Sequence, residues 1–317
     1  MDLVSVPSFY FSPKVVLVDD DLCLLETLKD SLSEYFDVES FCNPVVFLES
    51  MQNFCNIVDI VNCTRELNED SSDKQSVVKL NVMLLAEKLQ NEYKADKLVS
   101  ICFVDYFMPG MTGIECVRQI KDSYLCKVLL TSSLDNKDVI SAFNHKYIQQ
   151  YMPKTSDNLL NEMRATVENN HMDVINELNR ILYGDFFHTS PYLKVYSNDE
   201  FIKIYENILK KESIRFSCVY ESGGSMLMCD NNNNTYLLNI YSTDEIQNVL
   251  FESVEFEHNI SDYNKKLCKS FKILVDYKNN VTGIDVNSYL SNKLIETYDL
   301  LSIEGETYYL SFNKLLV

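Results

Sequence analysis

The sequence predicts a doubly wound α/β domain with a five-stranded parallel sheet, followed by a helical linker and an α+β domain. In the first half of the chain, short β-branched segments alternate with helical segments, which is typical of βαβ units. After residue 185, strand-like segments follow one another with fewer helices between them. A typical domain has about 150 residues, so the length of 317 residues predicts two domains. We therefore expect a first domain at 1–155, a helical linker at 156–185 and a second domain at 186–317.

The elements of the first domain follow from short apolar runs and from apolar residues at three- and four-residue steps. The expected strands lie at 14–19, 38–41, 98–105, 128–131 and 147–152. The expected helices lie at 22–36, 45–51, 113–121 and 137–144.

An insertion at about 52–97 separates the second and third expected strands. Its polar run at 66–76 predicts a loop, and the apolar spacing at 78–93 predicts a helix. Two interpretations are equally favoured: a surface excursion without a role, or a surface for a partner or a second copy.

In the linker, Leu160, Val167, Val174 and Ile181 recur at seven-residue intervals, but a polar segment at 168–171 interrupts the pattern. One long helix and two abutting helices both fit. Packing on its own domain is slightly favoured over a dimerising coiled coil.

The second domain begins with a helix. Ser197 followed by Glu200 forms a capping-box pattern for a helix that ends near residue 211. Strands are expected at 215–220, 225–229, 235–241, 271–277 and 307–312, with a helix at 287–298. The sequence DNNNN at 230–234 predicts a hairpin turn.

The composition favours a folded cytoplasmic protein. Apolar residues make up 46% of the chain and aromatic residues 12%, which is enough for a packed core. No run approaches the roughly 18 apolar residues of a membrane span, and residues 1–14 lack a signal-peptide pattern. The ten cysteines are scattered without a CxxC pair, so we expect reduced thiols.

The net charge argues against a chain built mainly to bind nucleic acid. There are 47 acidic and 28 basic residues, which gives a formal charge of −19. Because nucleic acid is a polyanion, its binding proteins usually present a basic face. The net charge does not exclude a local basic patch that binds nucleic acid.

Three carboxylates follow expected strands of the sheet. Asp19 and Asp20 follow the first strand, and Asp105 ends the third. With the strand order 2-1-3-4-5, the first and third strands are neighbours, so these carboxylates converge at one edge. Clustered like charges repel unless a cation lies among them, and Mg²⁺ prefers oxygen ligands of this kind.

Two further strand ends supply groups suited to phosphoryl transfer. Thr131 ends the fourth strand with a hydroxyl, and Lys154 follows the fifth with an ammonium group. Because phosphoryl transfer depends on positioning and electrostatic stabilisation, this set favours one of the carboxylates as a nucleophile.

These residues lie in four motifs: VVLVDDD at 15–21, VDYFMPGMTG at 104–113, LLTS at 129–132 and YMPK at 151–154. Together they resemble the receiver domain of two-component response regulators, a flavodoxin-like fold, over roughly residues 14–168. The resemblance implies a phosphoacceptor signalling protein rather than an enzyme, phosphorylated by a sensor histidine kinase.

The resemblance also implies individual roles at the metal site. Asp105 would be the phosphoacceptor. Mg²⁺ would be held by Asp19, Asp20, Asp105 and the backbone carbonyl of Phe107.

The remaining implied roles concern the switch. Thr131 and Lys154 would contact the phosphoryl group, and Tyr151 would be the aromatic switch residue. The surface around the fourth helix, fifth strand and fifth helix would then change and form a phosphorylation-dependent homodimer.

The chain departs from the family pattern at two places near the site. Pro153 precedes Lys154, whereas family members usually have proline after the lysine, so the loop here is expected to differ in shape. Phe107 is a bulky apolar residue where water must approach Asp105, which predicts slow loss of phosphate.

The second domain carries no recognisable enzyme signature. Residues 186–317 contain 12 basic and 18 acidic residues, a net charge of −6. Four clustered lysines beside aromatic residues are candidates for nucleic-acid contact: Lys265, Lys266, Lys269 and Lys272. A solvated helix end is favoured for them, and a second basic cluster comprises Lys210, Lys211 and Arg215.

Three roles compete for this domain. Regulation of gene expression is favoured because it is the commonest role in the family, ahead of a protein-binding module in a phosphorelay and an enzyme. The enlarged receiver and the Asn- and Tyr-rich acidic region after it are similar to a quorum-sensing response regulator.

Overall fold

The computed structural model describes residues 5–51, 57–68, 77–120, 124–132, 137–183, 192–220, 223–242, 272–274, 295–297 and 299–315. The chain divides into two compact units. The parallel-sheet unit is Pro7–Phe186, and the antiparallel-sheet unit is Phe187–Val317 together with Met1–Val6.

The parallel-sheet unit is built from alternating strands and helices. Its strands are β1 (Phe9–Phe11), β2 (Lys14–Val18), β3 (Asp37–Phe41), β4 (Arg65–Asn68), β5 (Val77–Leu80), β6 (Ile101–Asp105), β7 (Phe107–Met108), β8 (Met111–Thr112), β9 (Cys126–Thr131) and β10 (Gln150–Pro153). Its helices are α1 (Leu22–Ser33), α2 (Pro44–Met51), α3 (Ile57–Thr64), α4 (Val82–Lys94), α5 (Gly113–Gln119), α6 (Lys137–Asn144) and α7 (Leu159–Tyr183).

The central sheet is parallel, with five strands in the order β3-β2-β6-β9-β10. Every residue of β2 and β6 is buried, because helices cover both faces of the sheet. One face packs on α2, α5 and α6 through side chains that include Val16, Phe47, Val104 and Val117, and α1 and α7 lie on the other. The predicted fold class and strand order are confirmed.

The insertion between β3 and β6 differs in part from its prediction. Arg65–Asn68 and Val77–Leu80 pair as an antiparallel hairpin, so the predicted loop is wrong at 66–68. The observed helix α4 starts at Val82, four residues later than predicted. The reason is that the Asn81 side chain caps it by accepting from the Leu84 N–H at 3.1 Å. Helix α3, which was not predicted, packs against α4 and α7.

Helix α7 settles one question that the sequence left open. It is one continuous helix of 25 residues. Polar residues at 168–171 do not interrupt it, because His171 lies on the buried side while Glu168 is exposed and pairs with Arg164 at 2.9 Å.

The antiparallel-sheet unit contains helices α8 (Leu193–Tyr196) and α9 (Asp199–Lys211), and strands β11 (Ile214–Val219), β12 (Met226–Asp230), β13 (Thr235–Ser242), β14 (Lys272–Leu274), β15 (Ile295–Thr297), β16 (Asp299–Ile303) and β17 (Glu306–Lys314). Five of these strands follow one another in the antiparallel order β11-β12-β13-β17-β16. Helix α9 packs on β11, where the hydroxyl groups of Tyr205 and Ser217 share a hydrogen bond of 2.6 Å.

Several local predictions for this unit can be compared with the structure. The turn at 230–234 is a hairpin in which Asp230 Oδ1 accepts from the N–H groups of Asn232 and Asn234, both at 2.8 Å. The cap of α9 is Asn198 rather than Ser197. The predicted helix at 287–298 is wrong at Ile295–Thr297, which is a strand paired with β14.

None of the helices in the described part of the chain combines the length and the apolar character needed to cross a membrane.

Candidate functional site

Three carboxylates meet at the carboxyl edge of the parallel sheet. Asp19 directly follows β2 and Asp105 ends the neighbouring β6, since Val18 pairs with Val104. One oxygen from each of Asp19, Asp20 and Asp105 lies within 4.8 Å of the other two. Asp19 and Asp105 are buried, at 1% and 5% exposure, whereas Asp20 is exposed. The site is therefore a buried acidic pair with one carboxylate on the solvent side.

Lys154 connects the two buried carboxylates. Its Nζ lies 2.7 Å from Asp19 Oδ2 and 2.8 Å from Asp105 Oδ1. Its backbone N–H donates to the Thr131 carbonyl at 2.8 Å, one residue beyond the pairing of Pro153 with Thr131. The sheet ladder thus holds the lysine at the site although proline precedes it.

The site has more negative than positive groups, and burial shifts the pKa values of its charged side chains. Burial raises the pKa of Asp105, and the Asp19 charge adds to this, while hydrogen bonds from Lys154 and from the Phe107 N–H partly offset it. Burial alone would lower the pKa of Lys154, but its contacts with Asp105 and Asp19 raise it above the usual value. Three carboxylates face one ammonium group, so negative charge is in excess.

The donor set fits a small divalent cation. Asp19 Oδ2 is buried and accepts no well-directed hydrogen bond within the described residues, so its contact with Lys154 is an ion pair. Asp20 leaves the cluster open to solvent. Carboxylate oxygens with room for water and phosphate oxygens match the preference of Mg²⁺.

The other predicted site residues lie on the same strands or beside them. Thr131 ends β9, is fully buried and follows Leu130, the residue paired with Asp105. Tyr151 lies in β10, half-buried, and its ring centroid is 6.1 Å from that of Phe143 on α6. Phe107 is 62% exposed and stands edge-on to the Tyr106 ring at 4.4 Å.

The sequence prediction missed Asp21, which supports the site without joining the carboxylate cluster. Its N–H donates to Asp19 Oδ1 at 3.1 Å. Its Oδ1 caps α1 by accepting from the N–H groups of Cys23 and Leu24. An aspartate directly before a helical pattern is the signal that could have identified this cap.

Gly113 is a second residue that the prediction missed. A Cβ at this position would lie 2.2 Å from the Asp105 carbonyl oxygen, so only glycine lets α5 begin this close to the site. The signal was the capping box of Thr112 and Glu115, which places the helix start here.

Most of the lysines predicted as nucleic-acid contacts lie outside the described residues. Lys265, Lys266 and Lys269 lie outside the described residues, and Lys272 begins β14 without a described side chain. Lys210 and Lys211 end α9, where basic side chains stabilise the helix dipole, and Arg215 is exposed on β11.

Comparisons with known proteins extend these observations. No known family model matches the chain. A segment of 74 residues, 22% of the chain, is 30% identical to the hydrogenase transcriptional regulatory protein HoxA of Cupriavidus necator and spans 15% of that relative. The structure is similar to that of the response regulator LqsR of Legionella pneumophila, with a TM-score of 0.62, 19% identity, and coverage of 100% of this chain and 91% of that chain.

The chain has the fold of a response regulator. The likeness to LqsR extends over the whole chain, and at this identity it establishes the fold. The receiver fold that the four motifs predicted is confirmed in the parallel-sheet unit.

Proposed function

We propose that the chain is a response regulator of a two-component phosphorelay, and that Asp105 accepts a phosphoryl group from a sensor histidine kinase. The observation that supports this most strongly is the convergence of Asp19, Asp20, Asp105 and Lys154 at the carboxyl edge of the sheet. Ligand sites of doubly wound sheets lie at this edge.

In the proposed reaction, one carboxylate oxygen of Asp105 attacks the phosphorus atom of the donor. The bond from phosphorus to the donor breaks, and the leaving group keeps the electron pair and takes up a proton. The product is an acyl phosphate on Asp105. Burial raises the pKa of Asp105 because it disfavours the charged carboxylate. Phosphorylation gives Lys154, which contacts Asp105, new oxygen atoms to which it can donate.

Asp19, Asp20, Asp105 and the Phe107 carbonyl would hold Mg²⁺. The ion would offset the carboxylate charge and the charge of the incoming phosphoryl oxygens. Lys154 and the hydroxyl of Thr131 would donate to the phosphoryl oxygens, which requires Lys154 to loosen its contact with Asp105.

Labelling with radioactive acetyl phosphate in the presence of Mg²⁺ tests the proposal. We expect the intact chain and Asp30→Asn to take up label, because Asp30 is an exposed residue of α1. We expect Asp105→Asn to take up none. Equal labelling of Asp105→Asn would overturn the proposal.

We further propose a phosphorylation-dependent homodimer through α6, β10 and α7. Large apolar side chains are exposed here: Ile140 and Phe143 of α6, Tyr147 between α6 and β10, and Leu160 of α7. Tyr151 of β10 lies beside Phe143. Light scattering with fluoroberyllate, a phosphoryl mimic, should show a doubled mass. An unchanged mass would refute the dimer.

For the antiparallel-sheet unit we propose a role in regulating gene expression, with a diffusible quorum-sensing signal upstream. The alternative is a protein-binding module of the phosphorelay, which the net charge of −6 over 186–317 favours. Electrophoretic shifts with and without phosphodonor separate the two, since only the first predicts salt-dependent binding of nucleic acid.

A further inference from the structure

Tyr106, the residue that follows Asp105, is fixed to the parallel-sheet unit through its backbone. Its N–H donates to the Leu130 carbonyl of β9 at 2.8 Å, and its carbonyl accepts from the Gly113 N–H at the start of α5 at 2.9 Å. Its side chain is buried, at 6% exposure. The position of the Tyr106 ring therefore follows the position of the strand end that carries Asp105.

The hydroxyl of Tyr106 joins this strand end to helix α6. It donates to Asp138 Oδ2 at 3.4 Å, and Asp138 lies in the first turn of α6. This distance is long for an O–H···O hydrogen bond, so a small displacement of α6 is enough to break the bond or to shorten it. The bond is one of several contacts that hold the helix, because Val139 and Ala142 are buried in the core and Asp138 has further interactions.

Helix α6 follows the strand that ends at Thr131. Six positions separate Thr131 from Lys137, the first residue of α6. Under the proposed function, the phosphoryl group on Asp105 binds the Thr131 hydroxyl and draws the chain that leads from Thr131 to α6 toward the site. Tyr106 keeps its backbone hydrogen bond to Leu130, so α6 is displaced relative to the Tyr106 hydroxyl.

The hydrogen bond from Tyr106 to Asp138 belongs to the unphosphorylated form of the site, because Lys154 Nζ here contacts Asp105 Oδ1 directly, at 2.8 Å. An interaction that is present in one of two states and weaker in the other shifts their equilibrium by the difference in its free energy. A long hydrogen bond contributes little, so we expect a shift of a few fold.

We propose that the Tyr106 hydroxyl is a positioning group which, by donating to Asp138, favours the position of α6 in the unphosphorylated form. This inference rests on the proposed function. The hydroxyl opposes the switch until the phosphoryl group is bound. It acts in addition to Thr131 and Tyr151, to which the resemblance assigns roles in the switch.

Calorimetric titration of the full chain with fluoroberyllate in the presence of Mg²⁺ tests the proposal, because the phosphoryl mimic binds the switched state. Tyr106→Phe removes the hydroxyl and keeps the ring, and the exposed carboxylate of Asp138 stays solvated. We expect Tyr106→Phe to bind fluoroberyllate about threefold more tightly than the intact chain, since less of the binding free energy is used to shift the equilibrium. A hydroxyl that only stabilised the fold would leave this affinity unchanged.

Three further variants show whether the effect belongs to this hydrogen bond. Tyr35→Phe is the matched control, because it removes the hydroxyl of an exposed tyrosine directly after α1, on the other face of the sheet, and its affinity should equal that of the intact chain. Asp138→Ala removes the acceptor and should also bind more tightly. The double variant Tyr106→Phe/Asp138→Ala should bind no more tightly than Asp138→Ala, since both changes remove the same bond.

An unchanged or weaker affinity in Tyr106→Phe or in Asp138→Ala would overturn the proposal. Independent effects would also overturn it, with the double variant binding about threefold more tightly than Asp138→Ala. If the intact chain does not bind fluoroberyllate, the proposed function itself fails. Equal binding by the intact chain and every variant refutes only the role of the Tyr106 hydroxyl.

Discussion

At each end of strand β2 a lysine bridges two carboxylates, and the two arrangements differ in the exposure of those carboxylates. At its start, Lys14 Nζ lies 2.6 Å from Asp96 and 3.1 Å from Glu39. At its end, Lys154 lies at similar distances from Asp19 and Asp105. The side chains of Asp96 and Glu39 are 70% and 40% exposed, whereas those of Asp19 and Asp105 are 2% and 7% exposed.

The difference separates a structural ion pair from a site prepared for a ligand. Solvent already stabilises the partners of Lys14, so that cluster needs no further cation. At the other end two carboxylates are buried and a third, Asp20, adds charge that Lys154 does not neutralise. The excess negative charge, rather than the presence of a lysine between two carboxylates, distinguishes the candidate site from the other end of the strand.

Removal of each lysine should produce unequal losses of stability. Without divalent cations, Lys154→Met should lower the free energy of unfolding by about 3 kcal/mol, because it leaves buried carboxylates unpaired. Lys14→Met should cost about 1 kcal/mol, since its partners stay solvated. Urea unfolding in the presence of a chelator measures both, and equal losses would contradict the distinction.

Mg²⁺ should stabilise the protein through the carboxylates at the end of β2. At a hundredfold excess over its Kd it should raise the free energy of unfolding by about 2.7 kcal/mol. Asp20→Asn should lose most of this gain, because it removes the exposed ligand, while Asp30→Asn should keep it. A gain of the same size in Asp20→Asn would show that the ion binds elsewhere.

The lifetime of the phosphorylated state tests the exposed ring of Phe107. Phe107→Asn should lose phosphate about tenfold faster, a change of about 1.4 kcal/mol in the barrier, because a polar side chain there admits and orients water. Phe107→Leu is the apolar control and should stay slow. Radiolabel decay measures the rates, and identical decay in both variants would refute this role.

The three consecutive aspartates should respond differently to substitution. Asp21→Ala should cost about 1 kcal/mol of stability through loss of the α1 cap, with Mg²⁺ binding retained. Asp20→Asn should show the opposite pattern. Calorimetric titration with Mg²⁺ beside thermal unfolding checks the contrast, which a large loss of Mg²⁺ affinity in Asp21→Ala would contradict.

The site was predictable from sequence because it depends on topology. The parallel strand order places Asp19, Asp105 and Lys154 at one edge of the sheet, so this prediction did not depend on the exact bounds of the helices between the strands. The contacts of Asn179 with Phe9 were not predictable, since they join residues 170 apart through the backbone of one partner and leave no local pattern. The strand at Ile295–Thr297 was missed for a related reason: its pairing with Lys272–Leu274 overrides the local helical pattern.

The central claim is that Asp105 is the residue that carries the phosphoryl group. The most direct measurement is to treat the acetyl-phosphate-labelled full chain with borohydride, which reduces an acyl phosphate of aspartate to homoserine, and to map the converted residue by peptide mass spectrometry. We expect conversion at Asp105 alone, dependent on Mg²⁺. Conversion at another aspartate, or none at Asp105 in a labelled sample, would contradict the account.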